Sequence, residues 1–224
     1  MNPTVCNISD TARWVAHFRA RETQRPDALF RDPYAERLAG ERGLAIANTL
    51  ADGNKHEWAW VARTYLFDTF LLREIQQGAS LVINLAAGLD ARPYRMELPA
   101  SLHWVEVDLP EILSDKEVVL ANEKPRCQLE RIRLDLCDIE ARRALFMELD
   151  RRATKTVALT EGLLIYLSTE QVGALARDLA FGRHFHSWII DLASPGQLRI
   201  MQRAMGKQLD EVGAPFRFAP PEGP

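Results

Sequence analysis

Leu81-Val82-Ile83-Asn84-Leu85-Ala86-Ala87-Gly88-Leu89-Asp90 is the stretch that decides the fold, because a short apolar run passes directly into a turn of small residues. A run of this length bounded by a glycine turn describes a buried strand whose end leaves room for a ligand to approach the backbone. Similar runs recur downstream: His103–Val107, Leu129–Leu134, Thr156–Thr160 and Trp188–Leu192 read as strands. Between them Glu111–Asn122, Ile139–Arg151 and Ser168–Phe181 have helical spacing, and Ser168-Thr169-Glu170-Gln171 is a capping-box pattern. Strands alternating with helices predict right-handed crossovers, hence an α/β fold built on a doubly wound, mostly parallel sheet. Ligands in such sheets gather at the carboxyl ends of the strands, where strand order reverses.

Working outward, residues 1–78 carry helical periodicity and almost no strand-like runs, so they are expected to form an N-terminal helical cap. Ser9 is placed to cap a helix through Trp14 and Phe18, and Asp32-Pro33 is a cap followed by a first-turn proline. A longer helix from about Glu57 to Gln77 repeats apolar residues at Val61, Tyr65, Leu72 and Ile75 and stops at Gly78. Residues 79–193 form the α/β core and 194–224 a helix with a proline-rich tail, the whole making a single domain of 224 residues.

Composition narrows the function. Hydrophobic residues are 47% and charged residues 26%, a globular balance. The formal net charge of −3 provides no cationic field to attract nucleic acid. No apolar run approaches the ~20 residues of a membrane span, and the first residues lack the pattern of a signal peptide, so the expected location is cytoplasmic. Three cysteines without CxxC spacing suit reduced thiols, and His184 and His186 lack a third ligand, so no metal is expected.

The chemistry-bearing residues stand at the strand ends. Ala86, Gly88 and Ala91 hold the places of a GxGxxG fingerprint with two of its glycines missing, which argues against a nicotinamide oxidoreductase. Asp108 follows Gly88 by twenty residues, the distance at which an acid grips ribose hydroxyls. Asp135-Leu136 offers a carboxylate and an apolar side chain for a purine, and Glu161 ends the fourth strand. Each acid alone also reads as a helix cap or a solvated charge. Together they suit a ligand with a ribose, a purine and a cationic centre but no pyrophosphate: S-adenosylmethionine.

Several blocks resemble the class I S-adenosylmethionine-dependent methyltransferases of the leucine carboxyl methyltransferase type. They are Asp10-Thr11-Ala12 with Arg19-Ala20-Arg21-Glu22, Phe30-Arg31-Asp32-Pro33-Tyr34-Ala35, Arg63-Thr64, the turn continued as Gly88-Leu89-Asp90-Ala91-Arg92-Pro93-Tyr94-Arg95, Glu106-Val107-Asp108-Leu109-Pro110, Asp135-Leu136 and Glu161-Gly162-Leu163-Leu164-Ile165-Tyr166-Leu167. The resemblance implies a Rossmann-like methyltransferase sheet with S-adenosyl-L-methionine as cofactor. It implies that Arg63 pairs with the methionine carboxylate, Gly88 meets the cofactor with its backbone, Asp108 holds the ribose, Asp135 and Leu136 the adenine, and Glu161 the methionine amino end. Ala86 stands where the family usually has glycine.

The activity so implied is O-methylation of a small-molecule carboxylate. The acceptor is already ionised, so no general base is needed and the protein aligns the reactants and excludes water. Arg13, Arg21 and Arg92 are candidates to hold the acceptor, and Tyr166 either orients it or is a half-buried aromatic. A protein C-terminus as acceptor and a non-catalytic cofactor-binding relative are the alternatives. Family sheets end in a sixth and a seventh strand. Here Ser194-Pro195-Gly196-Gln197 opens a helix to about Val212, and the remaining residues include Pro215, Pro220, Pro221 and Pro224. Prolines lack the donor a ladder needs. Five main strands are therefore expected, the last exposing an edge at Trp188-Ile189-Ile190 for self-association.

Overall fold

A computed structural model describes residues 9–49, 57–211 and 214–221. Its centre is a five-stranded sheet of order β3-β2-β1-β4-β5, every neighbouring pair parallel. The strands are β1 (Leu81–Leu85), β2 (His103–Asp108), β3 (Gln128–Arg133), β4 (Thr156–Thr160) and β5 (Phe185–Ile190). Strand order reverses beside β1, so the crevice at the carboxyl ends of β1 and β4 is the switch point.

Side chains alternate across the pleat and build two cores. Leu81, Ile83 and Leu85 join Val105, Val107 and Ala158 on one face, beneath α6 (Ile139–Asp150) and α7 (Thr169–Phe181). Val82, Trp104, Val157 and Leu159 face the other way, onto Phe67 and Leu71 of α3 (Glu57–Gln76). Both central strands, β1 and β4, are buried throughout, as parallel strands covered on both faces must be.

Among the described residues the helices before β1 are α1 (Ser9–Thr23), α2 (Ala35–Thr49) and α3. Asp32 accepts the Tyr34 N–H at the entry to α2. Gly78, at φ 93, adopts the left-handed conformation that ends α3. The buried face of α3 is Thr64, Phe67, Asp68 and Leu71, one step round from the predicted stripe; Tyr65 lies outside, 41% exposed. The displacement has a cause in charge: Asp68 is drawn inward by Arg92 and Arg95. After β1 comes the single turn α4 (Arg92–Arg95), and α5 (Pro110–Val119) follows β2. No helix among the described residues is long and apolar enough to cross a membrane.

Strand limits differ from expectation at three places, β2 running one residue further, to Asp108. β3 begins and ends one residue earlier than the apolar run, and β5 covers Phe185–Ile190, not Trp188–Leu192. In β5 the register shifts between Thr156 and Val157 of its neighbour, and the strand begins early because the His184 carbonyl accepts the Thr156 N–H at 2.7 Å. Asp191 thereby falls just beyond the strand end.

The predicted caps of α7 and α8 (Pro195–Met201) form: Ser168 with Gln171 as a full capping box, and Ser194 accepting the Gln197 N–H. From Met201 the helix widens through Gln202–Gly206 into α9 (Lys207–Glu211). Val212, the expected helix end, lies outside the described residues. Residues 214–220 form no strand; Arg217 and Phe218 donate backbone N–H groups to the Ile165 carbonyl. The tail thus lies on the turn that follows β4, and Phe216 joins Trp14, Phe18 and Leu209 in an apolar cluster over it.

Candidate functional site

The carboxyl ends of β1, β2 and β4 carry the predicted residues side by side. The β1 turn is bent twice into the left-handed region, at Ala86 (φ 55) and Gly88 (φ 48). Gly88 meets that demand without strain, whereas alanine there costs roughly 1–2 kcal/mol. Gly88 donates its N–H to Asp108 Oδ2 at 2.6 Å, and Leu109 donates to Oδ1 at 2.7 Å. Burial pushes the Asp108 carboxyl up, and these two N–H groups offset part of the rise. Each oxygen keeps a second lone pair for a hydroxyl donor.

Behind Asp108, two residues back on the same face of β2, Glu106 is fully buried between Lys116 Nζ (2.6 Å) and Arg131 Nε (2.9 Å). This ion triad ties β2 to α5 and β3. Asp135, at the end of β3, is exposed and accepts the Cys137 N–H at 2.8 Å; Leu136 beside it is half-buried.

The β4 side is built of charged side chains. Arg92 is 2% exposed and binds Asp68 (2.6 Å), Asp90 (2.8 Å) and Glu161 (2.8 Å). Burial acts to raise Asp90, yet Arg92, Lys116 and Arg95 hold it down at about 2. Glu161 likewise would rise on burial but is held below the ordinary carboxylate range by Arg92 and Arg63. Arg63 reaches from α3 to donate Nε to Glu161 (3.0 Å) and Nη1 to Asp191 (2.9 Å), its guanidinium 4.9 Å from the Trp60 ring centroid.

Tyr166 lies in the 3₁₀ turn Leu164–Tyr166, its ring centroid 5.4 Å from that of Phe216. Burial raises its phenol, and a hydrogen bond with Thr11 of α1 opposes the rise.

Ala86, Gly88, Asp108 and Glu161 therefore stand at the carboxyl ends of β1, β2 and β4, with Arg63 of α3 against Glu161 and Tyr166 in the turn after β4. Arg13 stands apart, bound to Asp115 of α5 (2.5 Å) and the Leu38 carbonyl (3.4 Å), and Arg21 pairs with Glu57. The sequence did not single out Asp68, Asp90 or Asp191. Asp90 was visible inside the motif. Asp191 obeys the same rule as the other strand-end acids, but a strand drawn to Leu192 conceals it. His184 bonds the Asp150 carbonyl through its ring Nδ1 (2.6 Å) at the start of β5, far along the strand from the crevice.

The site residues thus stand on a parallel sheet of order β3-β2-β1-β4-β5, with acids after successive strands and a tight small-residue turn after β1. The sequence matches the leucine carboxyl methyltransferase family over residues 12–180, and the chain belongs to that family. A protein of Parafrankia sp. named as an S-adenosyl-L-methionine-dependent methyltransferase is 33% identical, the match covering 96% of this chain and 69% of that one. One of the same description from Rhodococcus jostii is 38% identical over 86% of this chain and 64% of its own length. The chain thus spans about two thirds of the curated relatives it matches. Two solved structures share the fold: a DUF574-family protein from Streptomyces avermitilis (TM-score 0.60, 14% identity, 92% of this chain and 78% of that one) and a protein from Thermobifida fusca (TM-score 0.56, 18% identity, 97% and 78%). S-adenosyl-L-methionine is the cofactor for which the relatives are named.

The donor set fits that group. Asp108 has free acceptor capacity beside the Gly88 backbone, and Arg63 and Glu161 place both charges an amino-acid zwitterion requires at the other end.

Proposed function

We propose that this chain transfers a methyl group from S-adenosyl-L-methionine to a carboxylate oxygen of a small molecule. The observation that carries the proposal is the joint placement of Asp108 against Gly88 and of Arg63 against Glu161 at the switch point. The bound cofactor supplies a methyl group made electrophilic by its sulfonium.

Asp108 accepts the ribose hydroxyls, Asp135 and Leu136 face the adenine, and the turn from Ala86 to Gly88 admits the cofactor close to the backbone. Arg63, Glu161 and Asp191 form the end that receives the amino-acid portion. Arg92 has no open face for an acceptor; it fixes Asp90 and Glu161 instead. Arg13 is held by Asp115, outside the crevice. Tyr166, anchored by Thr11 and backed by Phe216, orients the acceptor from the cap side. A carboxylate needs no general base, so alignment and exclusion of water are what the protein contributes.

The experiment is incubation of the purified chain with methyl-labelled cofactor and a panel of small carboxylic acids. Label released as methanol on mild alkaline treatment identifies an ester. Cofactor binding with label only in alkali-stable products overturns the carboxylate assignment, and failure to bind the cofactor overturns the proposal as a whole.

A further inference from the structure

Tyr65, Asp68, Thr69 and Leu72 stand three and four residues apart on α3 and therefore share one side of it. With Leu29 and Phe30 ahead of α2, and Arg95 and Met96 at the end of α4, they line a cavity of about 440 Å³, a volume typical of small-molecule sites. Its walls are mainly apolar. Phe30 and Met96 are buried and Leu72 half-buried, while Leu29, 55% exposed, stands at the mouth.

The floor holds a cation with idle donors. The Arg95 side chain is only 4% exposed, and its guanidinium lies 5.2 Å from the Phe30 ring centroid. Nη2 donates to Asp68 at 2.7 Å, whereas neither Nε, which is buried, nor Nη1 donates to a described residue. Asp32 comes within 3.9 Å of Nε but already accepts from Arg19 and from the Tyr34 N–H. A buried charged donor without an acceptor is costly, so this floor is short of an oxygen.

The surrounding charge decides what kind of oxygen fits. Ion pairs running from Arg95 through Asp68, Arg92 and Glu161 join Arg19, Arg63, Arg92 and Arg95 to five acids, so the connected network already carries an excess of negative charge. A carboxylate arriving at Arg95 would add to that excess where solvent screens poorly. The rim does not reverse the balance, because exposed Arg31 and Glu97 cancel. An uncharged oxygen satisfies Arg95 and leaves the balance as it is.

We infer that this cavity is a second ligand site, taking an uncharged carbonyl compound, an ester, amide or ketone, with an apolar body. Arg95 holds the oxygen, and Phe30, Tyr65, Leu72 and Met96 receive the body. The site is distinct from the crevice at the strand ends, since Arg92 stands between Asp68 and Glu161. It does not depend on the cofactor assignment.

The test uses the full chain with isotope-labelled methionine methyl groups, the Met96 resonance being assigned through Met96→Leu. Methyl benzoate, a ring with an uncharged carbonyl, should shift that resonance saturably. Benzoate, the same ring with a charge, should bind at least roughly tenfold more weakly. Thr69→Trp fills the cavity from an exposed position on α3 and, once circular dichroism verifies its fold, should abolish the shift. Arg95→Met should weaken methyl benzoate roughly tenfold or more, the loss of one hydrogen bond to a charged donor. If Arg95→Met does not fold, Thr69→Trp and the comparison with benzoate decide. No saturable shift in the parent, or an undiminished one in Thr69→Trp, overturns the site. Equal or tighter binding of benzoate, or unchanged methyl benzoate affinity in a folded Arg95→Met, overturns the role given to Arg95.

Discussion

The carboxylates at the strand ends are held by two different sets of donors, main-chain groups alone at Asp108 and arginines in the lead elsewhere. On the β1–β2 side, Asp108 is fixed by main-chain N–H groups from Gly88 and Leu109, and no arginine among the described residues pairs with it. On the other side, Asp68 of α3, Asp90 of the β1 turn, Glu161 and Asp191 are fixed by Arg63, Arg92 and Arg95, with backbone N–H groups of Arg92 and Gly162 added at Asp90 and Asp191. Backbone donors come with the turn and cannot be mutated away singly. Side-chain donors make each acid depend on a specific, distant partner. The first half is therefore robust and tuned for ligand; the second is cooperative, and its failure reaches the fold.

The largest break in that contrast is Arg92→Met. It would leave Asp68, Asp90 and Glu161 buried around an apolar side chain. Removing one partner of a buried charge network costs about 3–5 kcal/mol, which urea unfolding measures directly. A loss under about 1 kcal/mol would mean that the arginine half is no more cooperative than the backbone half.

Asp108→Asn probes the other half. Its expected cost is about 1–3 kcal/mol in cofactor affinity with a smaller loss of stability than in Arg92→Met, because the amide keeps an oxygen for one of the two backbone N–H groups and only the other loses its acceptor. The pH dependence carries an opposite sign in the two halves. Asp108 is raised, so between its unfolded and folded values the unfolded chain binds fewer protons and stability falls as pH rises, while binding to the ionised carboxylate is gained. Asp90 is lowered from 3.8 to about 2, so its contribution is present above 3.8 and lost as pH falls toward 2. Titration of cofactor affinity should show an acid limb above the ordinary carboxylate range that Asp108→Asn removes. Persistence of that limb in the variant would assign it to another group.

The expected order of the two halves was only partly legible in advance. Gly88 and Asp108 stand out because their spacing is short and the chemistry is local to one strand-turn-strand unit. Glu161 reads as the third acid at a strand end, Arg63 comes only from the family likeness, and Arg92 is expected to hold the acceptor although it lies enclosed by three acids. No periodicity announces that an arginine two residues past Asp90 will reach Asp68 on α3 as well. Asp191 escaped for a different reason, since the apolar run Trp188–Leu192 spans it and only the β4–β5 register ends the strand at Ile190.

The smallest effect is expected at Ala86→Gly. Relief of the left-handed conformation, roughly 1–2 kcal/mol, is opposed by the added freedom of glycine in the unfolded chain, about 0.4–1 kcal/mol. A net stabilisation below about 1 kcal/mol should appear as a slightly higher unfolding midpoint. Destabilisation would show that the alanine methyl makes a packing contact worth more than the strain.

The sequence by itself determined the strands, their parallel order of connection, the glycine turn and the acids that end β2, β3 and β4, because each of these is written in neighbouring residues and enforced by burial of alternate faces. Only the tertiary structure decided which acid each arginine serves. Arg63 meets Glu161 and Asp191 across 98 and 128 residues of chain. The distances that make those pairs exist only after α3 has packed on the sheet, and Coulomb attraction between partly buried groups depends on those distances, not on position along the chain.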